Sequence, residues 1–293
     1  MIALLFLSLS AFNPPLPDSA QANTASTEQI LPHVRQCSPS LSLRSQALNS
    51  EQENAICSQL GQIEAHFFKV FGQSNQAPNP VAHDHNQSLR ANIYKDKQSF
   101  MHYAGEHFHM PTNNGGMYLE GAPDQAGNQA EFIAYQRDNG EVHNLGHEYL
   151  HYLDGRYNLY GDFCANLHDS HAPPENCPRP EPEPPYLVWW TEGIAEYLSH
   201  PNGHPATQNL AQQNTYRLSE LFYTGYEKNN DSTRIYSWGY LATRFMMEKH
   251  RDAIEQMLVF TRVGDYPRYQ ALVRSWDKKW DVEFELWRVS LSL

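Results

Sequence analysis

The run His147-Glu148-Tyr149-Leu150-His151 sets two imidazoles four residues apart, with a carboxylate beside the first. On a helix, positions i and i+4 share a face, so both rings can converge on one metal ion. Glu148 would then point at the open side of the ion, where it can take a proton from water. A pattern of five residues also arises by chance on a solvated helix face, so a third ligand must decide. The spacing HExxHxxGxxH fails, because Asp154 and Tyr157 stand at its Gly and His positions. Trp189-Trp190-Thr191-Glu192-Gly193-Ile194-Ala195-Glu196 instead offers two carboxylates at i and i+4. These could be ordinary exposed acids, but Trp189, Trp190, Ile194 and Ala195 mark a largely buried helix. A buried carboxylate needs a cation or a metal. Two histidines plus one glutamate leave a zinc ion one open position, the arrangement of a catalytic rather than a structural site.

Other histidines carry less. His83/His85, His107/His109 and His168/His171 are close pairs in loops or near turns, and surface histidine is the reading for all three.

The elements that must position these groups are legible in part. Asp138 reads as a helix N-cap with Glu141 three residues on, opening a helix from about 141 to 153. The stretch 161–186 is rich in proline with interspersed Glu and reads as a loop, after which a helix resumes from Leu187. Upstream, Ser50 and Glu53 resemble a capping box. Ile56, Leu60, Ile63, Phe67 and Phe71 then form one apolar face of a helix ending near Gly72. Residues 23–50 are polar and irregular, and 73–86 is linker-like. Strands are expected at 90–94, 116–120 and 131–135, and helices at 240–249, 252–261 and 269–287. This order indicates an α+β fold.

Composition narrows the class. A formal net charge of −12 argues against a nucleic-acid partner. The apolar run within Met1–Phe12 is too short to span a bilayer. It is followed by Pro14-Pro15-Leu16-Pro17 and then Ala20-Gln21-Ala22, which reads as a signal peptide over 1–22, although no Lys or Arg precedes the run. No later segment is long and apolar enough to cross a membrane. The four cysteines contain no CxxC. In an exported chain they suggest disulfides, and proximity favours Cys37–Cys57 and Cys164–Cys177.

Several stretches resemble the bacterial collagenase family of gluzincin metallopeptidases, particularly its Vibrio-type branch. They are Thr112-Asn113-Asn114-Gly115-Gly116-Met117-Tyr118-Leu119-Glu120-Gly121, Gly127-Asn128-Gln129-Ala130, and the run from His147 through Tyr157. Trp189 through Tyr197 and Tyr236-Ser237-Trp238-Gly239-Tyr240-Leu241-Ala242 follow. They stand in family order and span roughly 88–290. The resemblance implies a thermolysin-like gluzincin. Residues 23–86 would form an N-terminal helical segment and linker, 87–198 a small mixed sheet plus active-site helix, and 199–293 a mainly helical C-terminal subdomain. It implies zinc on His147, His151 and Glu192, with Glu148 as catalytic base and Glu196 orienting a zinc-bound histidine. Gly115 and Gly116 would let a substrate backbone approach an edge strand. Glu120 resembles a calcium ligand, with main-chain carbonyls at about 155–159 as partners. Tyr236 resembles a tyrosine that hydrogen-bonds the tetrahedral intermediate, the alternative being a core or helix-surface tyrosine.

The implied function is a zinc metalloendopeptidase, monomeric and secreted or periplasmic. Only about 65 residues would precede the matching region after cleavage, where the family carries a large activator domain. Gelatin or collagen-derived peptides are therefore the expected substrates, rather than the intact triple helix. A non-catalytic collagen- or peptide-binding protein with a structural zinc is the alternative. An aminopeptidase would need an acidic motif to capture a free amine, and none precedes the helix.

Overall fold

The structure, a computed structural model, describes residues 25–74, 77–170, 177, 180–205, 207–228 and 231–291. The expected signal peptide and His171 lie outside the described residues.

After a four-residue helix α1 (Thr27–Ile30), two strands arise where the sequence reads as irregular: β1 (His33–Ser38) and β2 (Leu41–Ser45). They form an antiparallel hairpin. β1 buries none of its residues, so it carries no alternating apolar signal, whereas Leu41 and Leu43 of β2 face the core. Helix α2 (Ser50–Phe71) starts one residue earlier than expected. Asn49 is its cap, and Asn49 and Gln52 exchange side-chain-to-backbone hydrogen bonds of 2.9 Å. It stops at Gly72 in the left-handed conformation. The disulfide Cys37–Cys57 ties β1 to α2, and Cys164–Cys177 closes the second expected pair. Loops of this size are worth about 3 kcal/mol each.

β3 (Leu89–Tyr94), α3 (Lys97–Phe108), β4 (Met117–Leu119) and β5 (Ala130–Tyr135) complete a five-stranded mixed sheet in the order β1-β2-β3-β5-β4. β2, β3 and β5 run parallel, and β4 is antiparallel to β5 at one edge. The central strands bury residues on both faces, which suits a parallel core covered on both sides. One face packs Tyr94, Ile133 and Tyr135 against Phe100 and Ala104 of α3. The other joins the main core beneath α2 and α4 (Leu145–Asn158).

The start of α4 differs from expectation. Asp138 does not cap it: residues 137–141 form a turn in which Asn139 Oδ1 accepts the Glu141 N–H, and Gln136 bridges Val142. The helix begins after Asn144, which adopts φ 52° and makes no side-chain cap. It also runs on to Asn158, because the polar run after Leu153 faces inward. Asp154 is buried and accepts hydrogen bonds from Asn158 and Trp190.

α5 (Val188–Ser199) follows the proline-rich loop, then the short α6 (Thr207–Ala211) and α7 (Leu218–Leu221). A π-helical turn, Thr233–Trp238, leads directly into α8 (Gly239–Lys249), and α9 (Arg251–Thr261) follows. The single helix expected at 269–287 is two, α10 (Tyr266–Trp276) and α11 (Asp281–Ser290), broken at Asp277 with φ 34°. α5 and α8 cross at Gly193, where an added Cβ would sit 2.6 Å from the Gly239 carbonyl and 2.2 Å from Thr243 Oγ1. Only glycine permits that approach, which fixes the helix carrying Glu192. The fold is α+β, and among the described residues no helix is long and apolar enough to cross a membrane.

Candidate metal centre and catalytic cleft

α4 and α5 pack side by side, and their facing sides carry the titratable groups. His147 and His151 stand one turn apart on α4, so their Nε2 atoms meet 3.0 Å apart. Glu192 Oε2 lies 3.2 Å from His147 Nε2 and 3.5 Å from His151 Nε2. Bond lengths of about 2.0–2.1 Å at a tetrahedral ion require donor separations of roughly 3.3 Å. The three observed edges bracket that value. Glu192 Oε2 is also buried without a hydrogen-bond partner, a costly state for a carboxylate unless it binds a cation. These residues therefore fit a divalent ion of the zinc class.

Neighbouring groups hold each donor. His147 Nδ1 lies 3.0 Å from Glu196 Oε1, an arrangement that fixes the ring's tautomer and aims Nε2 at the centre. Tyr226 donates its hydroxyl to Glu192 Oε1 at 2.6 Å. Tyr226 is itself anchored through Asp169, which accepts backbone N–H bonds from Tyr226, Glu227 and Lys228 at 2.5, 3.2 and 2.8 Å. Gly225 has to be glycine, since a Cβ would lie 2.2 Å from Asp169 Oδ2.

The electrostatics are those of a charge cluster that an ion would reorganise. Burial works against a charged His147, yet Glu192 and Glu196 outweigh it and hold its pKa well above the ordinary value. Burial would raise Glu192, but His151 and His147 overcome it and keep the carboxyl deeply ionised. Glu148 is buried beside them without joining the donor set. Burial raises its pKa above the usual carboxylate range, against the lowering influence of the two histidines. A carboxylate tuned upward in this way suits a general base.

The cleft has a volume of about 650 Å³ and runs between β4 and the α4–α5 pair. Asn114, Gly115, Gly116 and Tyr118 line one side, and Phe163, His168 and Tyr226 line the other. β4 is the last strand of the sheet, so its outer edge can pair with an extended chain. The two glycines have reasons inside the fold. A Cβ on Gly115 would meet His143 Nε2 at 2.1 Å. One on Gly116, whose φ is +152°, would meet the Ile133 carbonyl at 2.8 Å. Tyr236 projects from the π-helical turn with its ring 5.9 Å from that of His147, and 38% of it is exposed. The charge of Glu192, more than burial, raises its phenol pKa, so it stays protonated and can donate. Glu120 is buried at the end of β4, and its Oε1 approaches Gly155 on α4, where an added Cβ would stand 3.1 Å away.

Two histidine readings change. His168 is buried rather than a surface residue, its Nε2 bonding the Phe163 carbonyl at 2.8 Å. His107 is half-buried between Tyr94 and Tyr103 and bonds the Tyr94 hydroxyl. Tyr226, Asp169, His200 and His204 belong to the site's surroundings but carry no spacing signal.

The collagenase family model matches residues 17–287 of the chain. The chain belongs to the collagenase peptidase family. The microbial collagenase of Vibrio alginolyticus is 42% identical over 267 residues, 89% of this chain and 30% of that protein. The microbial collagenase of Vibrio vulnificus is 38% identical over 273 residues, 92% of this chain and 31% of that protein. Collagenase ColT of Clostridium tetani is 25% identical over 192 residues, 59% of this chain and 17% of that protein. This collagenase-family chain thus spans about a third of the length of its Vibrio relatives. Within this family member, His147, His151 and Glu192 form a group whose donor atoms lie within 4.8 Å of one another and could hold a metal ion.

Proposed function

We propose that this chain is a zinc metalloendopeptidase that hydrolyses extended polypeptides such as gelatin or collagen-derived peptides. The observation that carries the reading is the set of three donors at tetrahedral spacing, with the buried Glu148 beside them, in a cleft lined by the outermost strand β4. His147, His151 and Glu192 would hold the ion. When bound, zinc supplies Lewis acidity, polarising the scissile carbonyl and making water a stronger acid.

The chain's own groups do the rest. A substrate segment adds to the outer edge of β4, so main-chain hydrogen bonds hold it extended across the cleft. Glu148 takes a proton from the attacking water and gives it to the departing amine. The Tyr236 hydroxyl donates to the oxygen on which negative charge develops. Glu196 holds the His147 ring, and Tyr226 holds Glu192, so neither ligand must reorganise during turnover. Glu120, with carbonyls after Gly155, would take calcium and brace the end of β4 against α4. Two disulfides agree with work outside the reducing cytoplasm.

The test is cleavage of gelatin and of intact type I collagen, with and without a zinc chelator. Gelatin cleavage that the chelator abolishes and added zinc restores is the expected result. Cleavage that persists in chelator would refute the metal reading. Tight peptide binding with no cleavage by a metal-loaded, folded protein would leave a binding role.

A further inference from the structure

The turn after α5 gathers donor atoms outside the three that would hold the catalytic ion. Glu196 lies in the last turn of the helix, and His200 is the residue just past its end. Gly203, at φ +99°, lets the chain reverse, and its N–H bonds the His200 carbonyl at 2.9 Å. That reversal brings His204 back to Glu196. His200 Nδ1 lies 3.2 Å, and His204 Nε2 3.3 Å, from the same oxygen, Glu196 Oε2. His200 Nδ1 also stands 3.0 Å from the Glu196 carbonyl and 3.1 Å from Ser199 Oγ, contacts that an ion would have to replace. The other oxygen, Oε1, is engaged by His147. Two edges therefore match the roughly 3.3 Å of a tetrahedral donor set, and a donor atom from each residue lies within 4.8 Å of the others. The Glu196 and His204 side chains are only 12% and 14% exposed, whereas His200 is 34% exposed. Two of the three side chains are thus mostly buried and the third is partly open to solvent. The negative end of the α5 dipole adds to the attraction for a cation.

We propose that Glu196, His200 and His204 form a second site for a divalent cation of the zinc class, sharing the Glu196 carboxylate with the catalytic centre. Two imidazoles and one carboxylate suit zinc, whereas calcium and magnesium take mainly oxygen. The ion takes the place of the imidazole protons aimed at Oε2. Glu196 then links the second ion to the Nδ1–H of His147. The simpler arrangement is an ion-free platform in which His200 and His204 only steady Glu196, and it holds no second ion.

Equilibrium dialysis of the whole chain against a roughly tenfold excess of zinc, followed by metal counting per folded chain, separates the two. The wild type should hold two ions, and His204→Gln and His151→Ala one each. One ion in both the wild type and His204→Gln overturns the proposal. Two ions in both the wild type and His204→Gln place the second ion elsewhere and overturn it equally. His151→Ala reports on the catalytic centre alone, so a failure there is distinguishable from a failure here. Should His204→Gln not fold, zinc-edge anomalous scattering from wild-type crystals reads the same question. A peak within bonding distance of His204 supports the site, and its absence refutes it.

Discussion

Replacing Tyr226 with Phe removes one oxygen atom and leaves the ring that lines the cleft. The lost bond is an O–H donated to a buried carboxylate, 2.6 Å from Glu192 Oε1. Bonds of this charge-assisted kind contribute roughly 1.5–3 kcal/mol. The loss falls on the metal-bound state in particular, because the bond orients Glu192 with its Oε2 toward the two histidines. Residues in this position typically alter metal affinity by about 10–100-fold, which agrees with the bond's range. The assay is a competition titration of zinc against a chromogenic chelator, on wild type and Tyr226→Phe, with helix content checked by circular dichroism. Zinc affinity should fall by roughly 10–100-fold while the fold persists. Asp169→Asn, which weakens the anchor of the loop bearing Tyr226, should lower affinity in the same direction. Unchanged affinity in a folded Tyr226→Phe protein would mean that Glu192 needs no such support, and the positioning argument would fail.

The two carboxylates of α5 should separate on metal analysis. Glu192→Ala should lose the ion at the catalytic centre, whereas Glu196→Ala, which frees His147 Nδ1 and also removes the carboxylate that His200 and His204 face, should weaken zinc affinity at the catalytic centre by roughly 10–100-fold. The reverse order would show that the wrong glutamate is assigned as ligand. Asp154 yields a stability prediction. Burial raises its folded pKa to about 6 from an ordinary 3.8, so the folded chain binds this proton more tightly than the unfolded one. The resulting stabilisation is complete below about pH 4 and is lost as pH rises through about 6, amounting to about 3 kcal/mol. Asp154→Asn, neutral throughout, should therefore gain on the metal-free wild type between about pH 4 and pH 7 in urea melts. A difference independent of pH would contradict a buried, strained carboxylate.

The chemistry closest in sequence was the most legible. His147, Glu148 and His151 lie within five residues, and helical geometry alone brings the two rings together. Glu192 was signalled by its burial among tryptophans. The groups that steady these residues were hidden for a physical reason. Tyr226, Asp169 and His204 reach the site from loops, where no periodicity links a residue to what it touches. β1 leaves no signal in the sequence, because an edge strand with no buried side chain alternates nothing. The start of α4 is not legible in the sequence, because Asn144 precedes it in a left-handed backbone conformation without a side-chain cap, while Asp138 and Glu141, which imitate a helix start, belong to a turn. The inward-facing end of α4 carries no apolar signal, because its buried Asp154 is satisfied by Trp190, 36 residues away. The break at Asp277 likewise reflects a backbone conformation that apolar spacing does not report.

The most direct measurement is turnover of a gelatin-derived peptide by Glu148→Gln, with bound zinc counted in the same preparation. Glu148 is buried beside the donor set but is not a member of it. The variant should therefore retain its zinc and its fold while turnover falls by about 10²–10⁴-fold. A variant that keeps its zinc and cleaves at near the wild-type rate would contradict the assignment of Glu148 as the base.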